Sequence, residues 1–225
     1  MQITHRVSKW IAIAALALTA TSSMAYTLVD TNPAWDGTTF ISSFGNPNTA
    51  TYGQTITAPP GEGALTSFSF QINDQGNVLP FQGAVYAWDA VNARATGSAL
   101  YLSAPVTTTG TNTFVRFTFT PNVPMTPGQQ YVIMATTSYN QSTPGVMRWG
   151  AVANNTTYTG GQFVFINNGS NTAAWTTQSW STIAQDLAFT AVFGTPVVPA
   201  LDQWALLLLA ALVAGGAFVV VRRRA

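Results

Sequence analysis

Short segments of strand character, separated by turns rich in Gly, Pro and Asn, fill the sequence from residue 38 to residue 193. In LTSFSFQI, the residues Leu65, Phe68, Phe70 and Ile72 recur mostly two positions apart, which is the period of a strand with one buried face. No amphipathic helix of ordinary length separates these segments. The predicted strands are Thr38–Phe44, Tyr52–Ala58, Leu65–Ile72, Gln82–Trp88, Ala99–Val106, Phe114–Phe119, Tyr131–Ser138, Val146–Ala151, Gln162–Asn167 and Asp186–Phe193.

Many short strands without helices between them indicate an all-β fold, an antiparallel β-sandwich, and we expect a jelly-roll-like topology. The turns APPGEG, NDQGN, TTTGTN, TPGQQ, YTGGQ and NNGSN have the residues that tight turns favour. No repeat, charge run or disordered linker divides this part of the sequence. We therefore predict a single β-sandwich domain over residues 26–197, which ends in the Pro-containing spacer FGTPVVPAL.

The N-terminus has the layout of a secretory signal peptide over residues 1–25. Arg6 and Lys9 precede the apolar stretch Trp10–Ala20, and small residues follow. We expect cleavage after Ala25 and a mature chain that begins at Tyr26, with the Sec translocase and signal peptidase as partners. An N-terminal membrane helix is the alternative, but the apolar stretch is shorter than the roughly 20 residues that a span needs.

The C-terminus contains a second apolar segment. Trp204–Val221 carries no charge and, as a helix, has about the length of a bilayer's hydrocarbon core, so we predict a transmembrane helix. Arg222, Arg223 and Arg224 follow it and are expected to stay on the cytoplasmic side, because basic residues beside a span resist translocation. Residues 26–197 are then expected to lie outside the cytoplasm.

The predicted domain lacks the side chains of most catalytic and metal sites. The chain has no Cys, and its single His and single Lys, His5 and Lys9, lie in the predicted signal peptide. This composition excludes Ser-His-Asp and Cys-His catalysis, Schiff-base chemistry and zinc sites made of His or Cys. A glycoside hydrolase with two carboxylates is an alternative, but the only Glu, Glu62, lies in a predicted turn. We therefore expect a protein that is not an enzyme.

Charged residues make up 7% of the chain. Between residues 26 and 197 three arginines oppose six acids, which leaves a formal net charge of −3 and argues against a nucleic-acid partner. Oxygen ligands in the loops would suit a structural calcium ion, although no ligand set can be named. No other cofactor is predicted.

Aromatic side chains supply the candidate ligand surface. Flat rings beside Asn, Gln and Asp would suit sugars, whereas packing in the sandwich core is the alternative role of such residues. The candidate ligand contacts are Trp88, Trp149, Tyr158, Trp175 and Trp180.

The C-terminal segment VPALDQWALLLL, followed by VVVRRRA, resembles the IPTL-CTERM class of sorting signals, which are related to PEP-CTERM signals of Gram-negative bacteria. Pro199, Leu201 and Trp204 match the spacing of the I-P-T-L-x-x-W core, while Val198 and Ala200 replace its Ile and Thr. The resemblance implies that an exosortase, a membrane-embedded enzyme similar to a transpeptidase, processes the chain. It also implies transient residence in the inner membrane before delivery to the outer surface or extracellular matrix.

The central part resembles a recurring β-sandwich ectodomain of bacterial surface proteins, in YGQTITAP, LTSFSF, TPGQQYVIMATTS, YTGGQFVF and DLAFTAVF. This second resemblance implies no particular activity. Together the observations predict an exported, non-enzymatic surface or matrix protein with exopolysaccharide as its candidate ligand. The alternative is a structural component of the surface or biofilm that binds no sugar specifically.

Overall fold

The computed structural model of the protein describes residues 26–47, 49–61, 63–154 and 156–195. The predicted signal peptide, the C-terminal sorting segment and Glu62 lie outside the described residues. In the described part, two antiparallel sheets account for almost all regular structure. The prediction of an all-β sandwich is confirmed at this level, and the jelly-roll variant stays a prediction.

Sheet A contains eight strands, which are β1 Tyr26–Asp30, β2 Phe40–Phe44, β4 Ala64–Asn73, β8 Phe114–Phe119, β9 Val123–Pro124, β11 Met147–Val152, β14 Asp186–Leu187 and β15 Phe189–Gly194. Sheet B contains seven strands, which are β3 Thr51–Thr57, β5 Pro80–Asp89, β6 Arg94–Leu102, β7 Val106–Thr107, β10 Gln130–Thr136, β12 Phe163–Ile166 and β13 Ser181–Thr182. The helical elements are a 3-10 turn, Asn32–Ala34, and the short helix α1, Ala174–Thr177.

The strand β4 is the centre of sheet A. It pairs with β15 and then with β11 along one edge, and with β9 and β8 along the other. Sheet B has the order β13-β12-β3-β10-β5-β6, with β7 beside β5. The chain passes from sheet B to sheet A and back again through β3, β4 and β5, so the two sheets are interleaved in sequence.

All ten predicted strands overlap observed ones, and Phe114–Phe119 agrees at both ends. The segment Asp186–Phe193, predicted as one strand, is divided into β14 and β15. The strand β6 begins at Arg94, earlier than predicted, because it is an edge strand with mostly exposed residues and shows little apolar alternation. The strand β1 was not predicted, since its partner β15 lies at the far end of the domain sequence.

The first and last strands of the described domain are neighbours. Tyr26 lies opposite Gly194, and Asp30 lies opposite Thr190. The segments that precede Tyr26 and follow Gly194 are therefore attached at the same end of sheet A.

An aromatic core holds the two sheets together. Trp149 of β11 is fully buried, with its ring 5.0 Å from that of Phe44, 5.6 Å from that of Tyr52 and 4.5 Å from that of Phe70. Tyr52 belongs to sheet B, whereas the other three residues belong to sheet A. Because the chain has no disulfides, contacts of this kind supply the cohesion between the sheets.

A second apolar cluster covers the opposite, outer face of sheet B. Residues 167–182, here called the strap, lie across this face and include α1 and β13. Trp175 of the strap donates a hydrogen bond from Nε1 to Thr51 Oγ1 at 3.0 Å, and its ring packs 5.8 Å from that of Tyr86. The strap makes sheet B the middle layer of this part of the domain.

Asp74 ties together the loops at one end of the sandwich. Its Oδ1 accepts hydrogen bonds from the backbone N–H groups of Gly76 and Asn112, and its Oδ2 accepts from those of Gly110 and Thr111. Burial by itself would raise the pKa of Asp74, but these four donors outweigh it and hold the pKa below its usual value. The carboxylate is satisfied by N–H donors, so it acts as a loop tether.

The first prediction concerns the core. We expect Trp149→Ala to lower the free energy of unfolding by about 3–5 kcal/mol, because it leaves a large cavity between the sheets. Trp149→Phe is the matched control, since it keeps a ring and removes a buried Nε1 that has no hydrogen-bond partner among the described residues. Its cost should stay below about 2 kcal/mol in urea unfolding. Equal losses for the two variants would contradict the core assignment.

The second prediction concerns Asp74→Asn. We expect a loss of about 1–3 kcal/mol at pH 7, because an amide cannot accept all four N–H donors. A carboxylate whose folded pKa is lowered stabilises the fold above its unfolded pKa of about 3.9, and this contribution disappears as pH falls through the folded pKa. The difference in free energy of unfolding between wild type and variant should therefore shrink from pH 7 to pH 3 in urea titrations.

Asp30→Asn, at an exposed carboxylate, is the control and should change stability by less than about 0.5 kcal/mol. A gap that is independent of pH would contradict the assignment.

Candidate functional site

An open groove of about 300 Å³ lies on the outer face of sheet B, beside the strap. We call it the Trp88 groove. Its lining residues come from three strands of sheet B and from two loops, and they are Thr55, Trp88, Ala90, Ala93, Gln130, Thr159, Gly161 and Gln162.

The β5–β6 hairpin forms one wall of the groove. Asp89 Oδ1 accepts hydrogen bonds from the backbone N–H groups of Val91 and Asn92, each at 3.1 Å. The side-chain and backbone hydrogen bonds from Asn92 lower the pKa of Asp89, with a further contribution from Arg94, whose Nε lies 3.9 Å from Oδ2. Asp89 thus fixes the hairpin and is held in its ionised form.

Trp180 of the strap supports this hairpin from behind. Its backbone N–H donates to the carbonyl oxygen of Ala93 at 2.7 Å. Its ring meets that of Trp88 edge to face at 5.6 Å, and its Nε1 donates to the carbonyl oxygen of Trp175 at 3.0 Å. The position of the Trp88 ring is therefore set by packing.

The loop before β12 forms the opposite wall and is docked on β3. The carbonyl oxygen of Gln162 accepts from the N–H of Thr55 at 2.9 Å, and the N–H of Gln162 donates to Thr55 Oγ1 at 2.8 Å. A Cβ atom on Gly161 would lie 1.8 Å from the carbonyl oxygen of Thr55, so only glycine permits this approach. The wall is thus formed by backbone contacts before any ligand binds.

A buried polar network anchors the same loop to both sheets. Asp186 of sheet A accepts from Gln54 Nε2 of sheet B at 3.2 Å and from the N–H of Tyr158 at 3.0 Å, while Gln54 Oε1 accepts from the N–H of Leu187. Burial raises the pKa of Asp186, and the two hydrogen bonds oppose this effect. The Tyr158 hydroxyl oxygen accepts from the N–H of Thr57 at 3.0 Å. Neither Asp186 nor Tyr158 lines the groove.

The lining of the groove is polar but contains no ionisable side chain. Gln130 and Gln162 contribute amides, and Thr55 and Thr159 contribute hydroxyls. Within the described structure, neither glutamine side chain is hydrogen bonded to another residue. A site with one indole ring and free amide donors and acceptors can bind a neutral ligand that has both hydroxyl groups and apolar C–H faces.

The five aromatic residues predicted as ligand contacts do not form one surface. Trp88 lines the groove and is 9% exposed, whereas Trp149 is fully buried between the sheets. Trp175 and Trp180 belong to the strap and are 1% and 5% exposed, because they pack against sheet B, and Tyr158 tethers the loop wall. For the last four, the structure shows packing contacts: Trp149 lies between the sheets, Trp175 and Trp180 pack on the outer face of sheet B, and the half-buried Tyr158 packs against Phe189. A ligand contact at Trp88 stays a prediction.

The glutamines of the groove were not predicted as site residues. Gln130 follows the TPGQ turn and Gln162 follows the YTGG turn, so both stand at the starts of strands. The sequence offered one signal for them: each follows a turn at the beginning of a strand, which places it at an end of the sheet. Nothing in the sequence showed that the two turns meet beside Trp88, because strand order decides that.

The described residues contain no group of three or more His, Cys, Asp or Glu side chains that could hold a metal ion. The same part of the chain has no helix long and apolar enough to cross a membrane. Several sequence predictions lie outside the described residues, namely Ala25, the sorting motif Val198, Pro199, Ala200, Leu201 and Trp204, and the basic cluster Arg222, Arg223 and Arg224. Tyr26, the predicted mature N-terminus, is the first residue of β1.

Solved structures that resemble the fold include two that hold cysteine protease domains. One is a clostridial cysteine protease after propeptide cleavage, with a TM-score of 0.49 and 10% identity over 76% of this chain and 40% of that protein. The other holds the cysteine protease and lectin-like domains of a surface layer associated protein of Clostridium difficile, with a TM-score of 0.42 and 12% identity over 66% of this chain and 32% of that one. This chain thus spans less than half of each of them. Among curated proteins, no sequence match was found.

The family comparison concerns the C-terminus. Residues 198–225 match the IPTL-CTERM motif, which confirms the resemblance seen in the sequence. The motif implies export, passage through a membrane and processing by an exosortase-type enzyme. The chain therefore carries an IPTL-CTERM sorting signal at residues 198–225 and is an exported, surface-directed protein.

Proposed function

We propose that this is a non-enzymatic, carbohydrate-binding protein of the outer surface or extracellular matrix of a Gram-negative bacterium, and that the Trp88 groove binds a neutral sugar. One observation carries the proposal. The groove combines a tryptophan ring with the free amides of Gln130 and Gln162, and no ionisable side chain lines it.

The chemistry of the groove suits a sugar ring. A pyranose has apolar C–H faces that pack on an indole, and hydroxyl groups that exchange hydrogen bonds with amides. Because Trp88 is only 9% exposed, it offers a limited part of its ring, and a volume of about 300 Å³ suits one or two sugar units. Both walls are held by backbone hydrogen bonds, so little ordering is needed on binding.

The absence of ionisable groups from the groove also favours binding over catalysis. Glycoside hydrolysis needs two carboxylates on either side of the scissile bond. Asp89, which follows Trp88 in sequence, is engaged by the N–H groups of its own hairpin and by Arg94. The groove therefore has the means to orient a sugar and lacks an acid–base pair.

The two ends of the domain support the proposed delivery to the surface. The predicted signal peptide precedes Tyr26, the sorting signal follows Gly194, and these residues lie opposite each other in sheet A. Both membrane-directed segments are thus attached at the same end of the domain, while the Trp88 groove lies on sheet B. The domain can fold outside the membrane before the exosortase releases it.

The third prediction tests the groove. Wild-type protein should bind at least one polymer in a panel of neutral polysaccharides, and Gln162→Ala should weaken that binding about fivefold, as expected for one lost hydrogen bond of about 1 kcal/mol. Gln178→Ala removes an exposed amide from the strap, outside the groove, and is the matched control. Affinity electrophoresis and calorimetry measure the effect. Equal weakening by both variants would contradict the site, and absence of binding by the wild type would favour the purely structural alternative.

The fourth prediction tests the sorting signal. In cells with a working exosortase, the mature protein should lose the C-terminal segment that contains residues 204–225 and begin at Tyr26, as measured by intact-protein mass spectrometry. Deletion of the exosortase should leave the C-terminal segment attached and the protein in the membrane fraction. Retention of Trp204 to Arg224 in the exosortase-positive strain would contradict processing.

A further inference from the structure

The outer face of sheet A carries a second surface, on the opposite side of the sandwich from the Trp88 groove. Alternate residues of β4, β8 and β11 point away from the core that contains Phe70 and Trp149. On this outer face, Gln71 of β4 lies opposite Arg116 of β8, and Arg148 of β11 lies opposite Asn73 of β4. The two arginines thus stand on either side of one central strand.

Three aromatic rings accompany the arginines. The Arg148 guanidinium carbon lies 4.3 Å from the centre of the Phe40 ring. Trp35 lies over Gly150, where a Cβ atom would approach its ring to 2.8 Å, and meets the Phe114 ring edge to face at 4.9 Å. The surface formed by Trp35, Phe40, Gln71, Phe114, Arg116 and Arg148 is here called the arginine face.

The arginine face carries positive charge without internal neutralisation. Among the described residues, the only ion pair joins Arg94 and Asp89, which belong to sheet B. Within the described part of the chain, Arg116 and Arg148 therefore have no carboxylate oxygen within 4.0 Å of their side-chain nitrogen atoms. The Arg148 Nε is buried and has no hydrogen-bond partner in the described structure. Because this atom is buried, a ligand on the surface would contact the exposed part of the Arg148 side chain, which is half-buried as a whole.

The acids nearest in sequence to Trp35 are occupied elsewhere. Asp36 accepts hydrogen bonds from the backbone N–H groups of Thr38 and Thr39 and from Thr39 Oγ1, and these bonds hold its pKa well below its usual value. Asp30 accepts from the backbone and side-chain nitrogen atoms of Asn32. Neither carboxylate reaches an arginine of this face.

We propose that the arginine face binds a polysaccharide that carries carboxylate groups. A guanidinium matches a carboxylate in shape and charge, and Trp35 and Phe114 offer rings on which sugar units pack. Neighbouring strands are about 4.8 Å apart, and Arg116 and Arg148 lie opposite β4 residues two positions apart, so their Cα atoms are about 12 Å apart. This separation suits repeated charges along a polymer. Two arginines in a domain of net charge −3 fit the carboxylates of a polyuronate better than the phosphates of nucleic acid, which are more closely spaced.

This inference goes beyond the proposed function, because it concerns the opposite sheet and an anionic ligand. The probe is alginate, a polyuronate, with neutral dextran and double-stranded DNA for comparison. Wild-type protein should bind alginate in a salt-dependent manner. Arg116→Gln and Arg148→Gln should each weaken it about fivefold to tenfold, and the double variant should weaken it further. Arg94→Gln is the matched control, since it removes the same charge from sheet B, and should change binding less than twofold.

Several outcomes would overturn the proposal. These are absence of alginate binding by the wild type, tighter binding to DNA than to alginate, or equal weakening by Arg94→Gln, which would indicate attraction by overall charge. Arg148→Lys keeps the positive charge and removes the bidentate geometry of the guanidinium. This variant should bind alginate more tightly than Arg148→Gln and less tightly than wild type. Thermal unfolding confirms that each variant is folded, and Arg116→Glu, at an exposed position, provides a second test that does not disturb packing. Gln178→Ala, outside both surfaces, should leave alginate binding unchanged. Binding of alginate without binding of any neutral polysaccharide, or the reverse, tells failure of the groove and failure of the arginine face apart.

Discussion

The structure depends on burial of aromatic rings between two sheets that no disulfide joins. Trp149 contacts rings from both sheets, and it does so from β11, a strand that also pairs with β2, β4 and β14. A chain without cysteine that is exported cannot use disulfides, so the apolar area of these rings supplies the cohesion. The same residue that sequence analysis placed among the sugar contacts is thus the centre of the core.

The strap buries further aromatic rings in a second apolar layer, on the outer face of sheet B. Trp175 and Trp180 cover the outer face of sheet B and leave Trp88 at the margin of the covered area. The Trp88 groove exists because the strap ends there and because the loop before β12 is bound to β3 by backbone hydrogen bonds. Packing and polar contacts therefore determine where an aromatic ring remains accessible.

Charge is distributed differently on the two faces of the sandwich. The groove on sheet B has no ionisable lining, whereas the outer face of sheet A carries Arg116 and Arg148, which have no carboxylate partner among the described residues. The buried carboxylates form hydrogen bonds inside the domain instead. Asp74 is stabilised in its charged form by four N–H donors, and Asp186 joins the two sheets through Gln54. A domain with few charges thus uses most of its carboxylates to hold loops, and the positive side chains of sheet A remain available to a ligand.

The sequence by itself determined the fold class, the positions of most strands and the sorting signal, because these depend on local patterns. Each of these patterns extends over only a few residues. Examples are the alternation along LTSFSFQI, the turn residues between strands, and the spacing of Pro199, Leu201 and Trp204. Only the tertiary structure decided which tryptophans are buried, since the environment of Trp88 and Trp149 depends on sheet order and on the strap. The same holds for the pairing of β1 with β15 and for the meeting of Gln130, Gln162 and Trp88 in one groove. These contacts join residues far apart in the chain, and no local pattern specifies them.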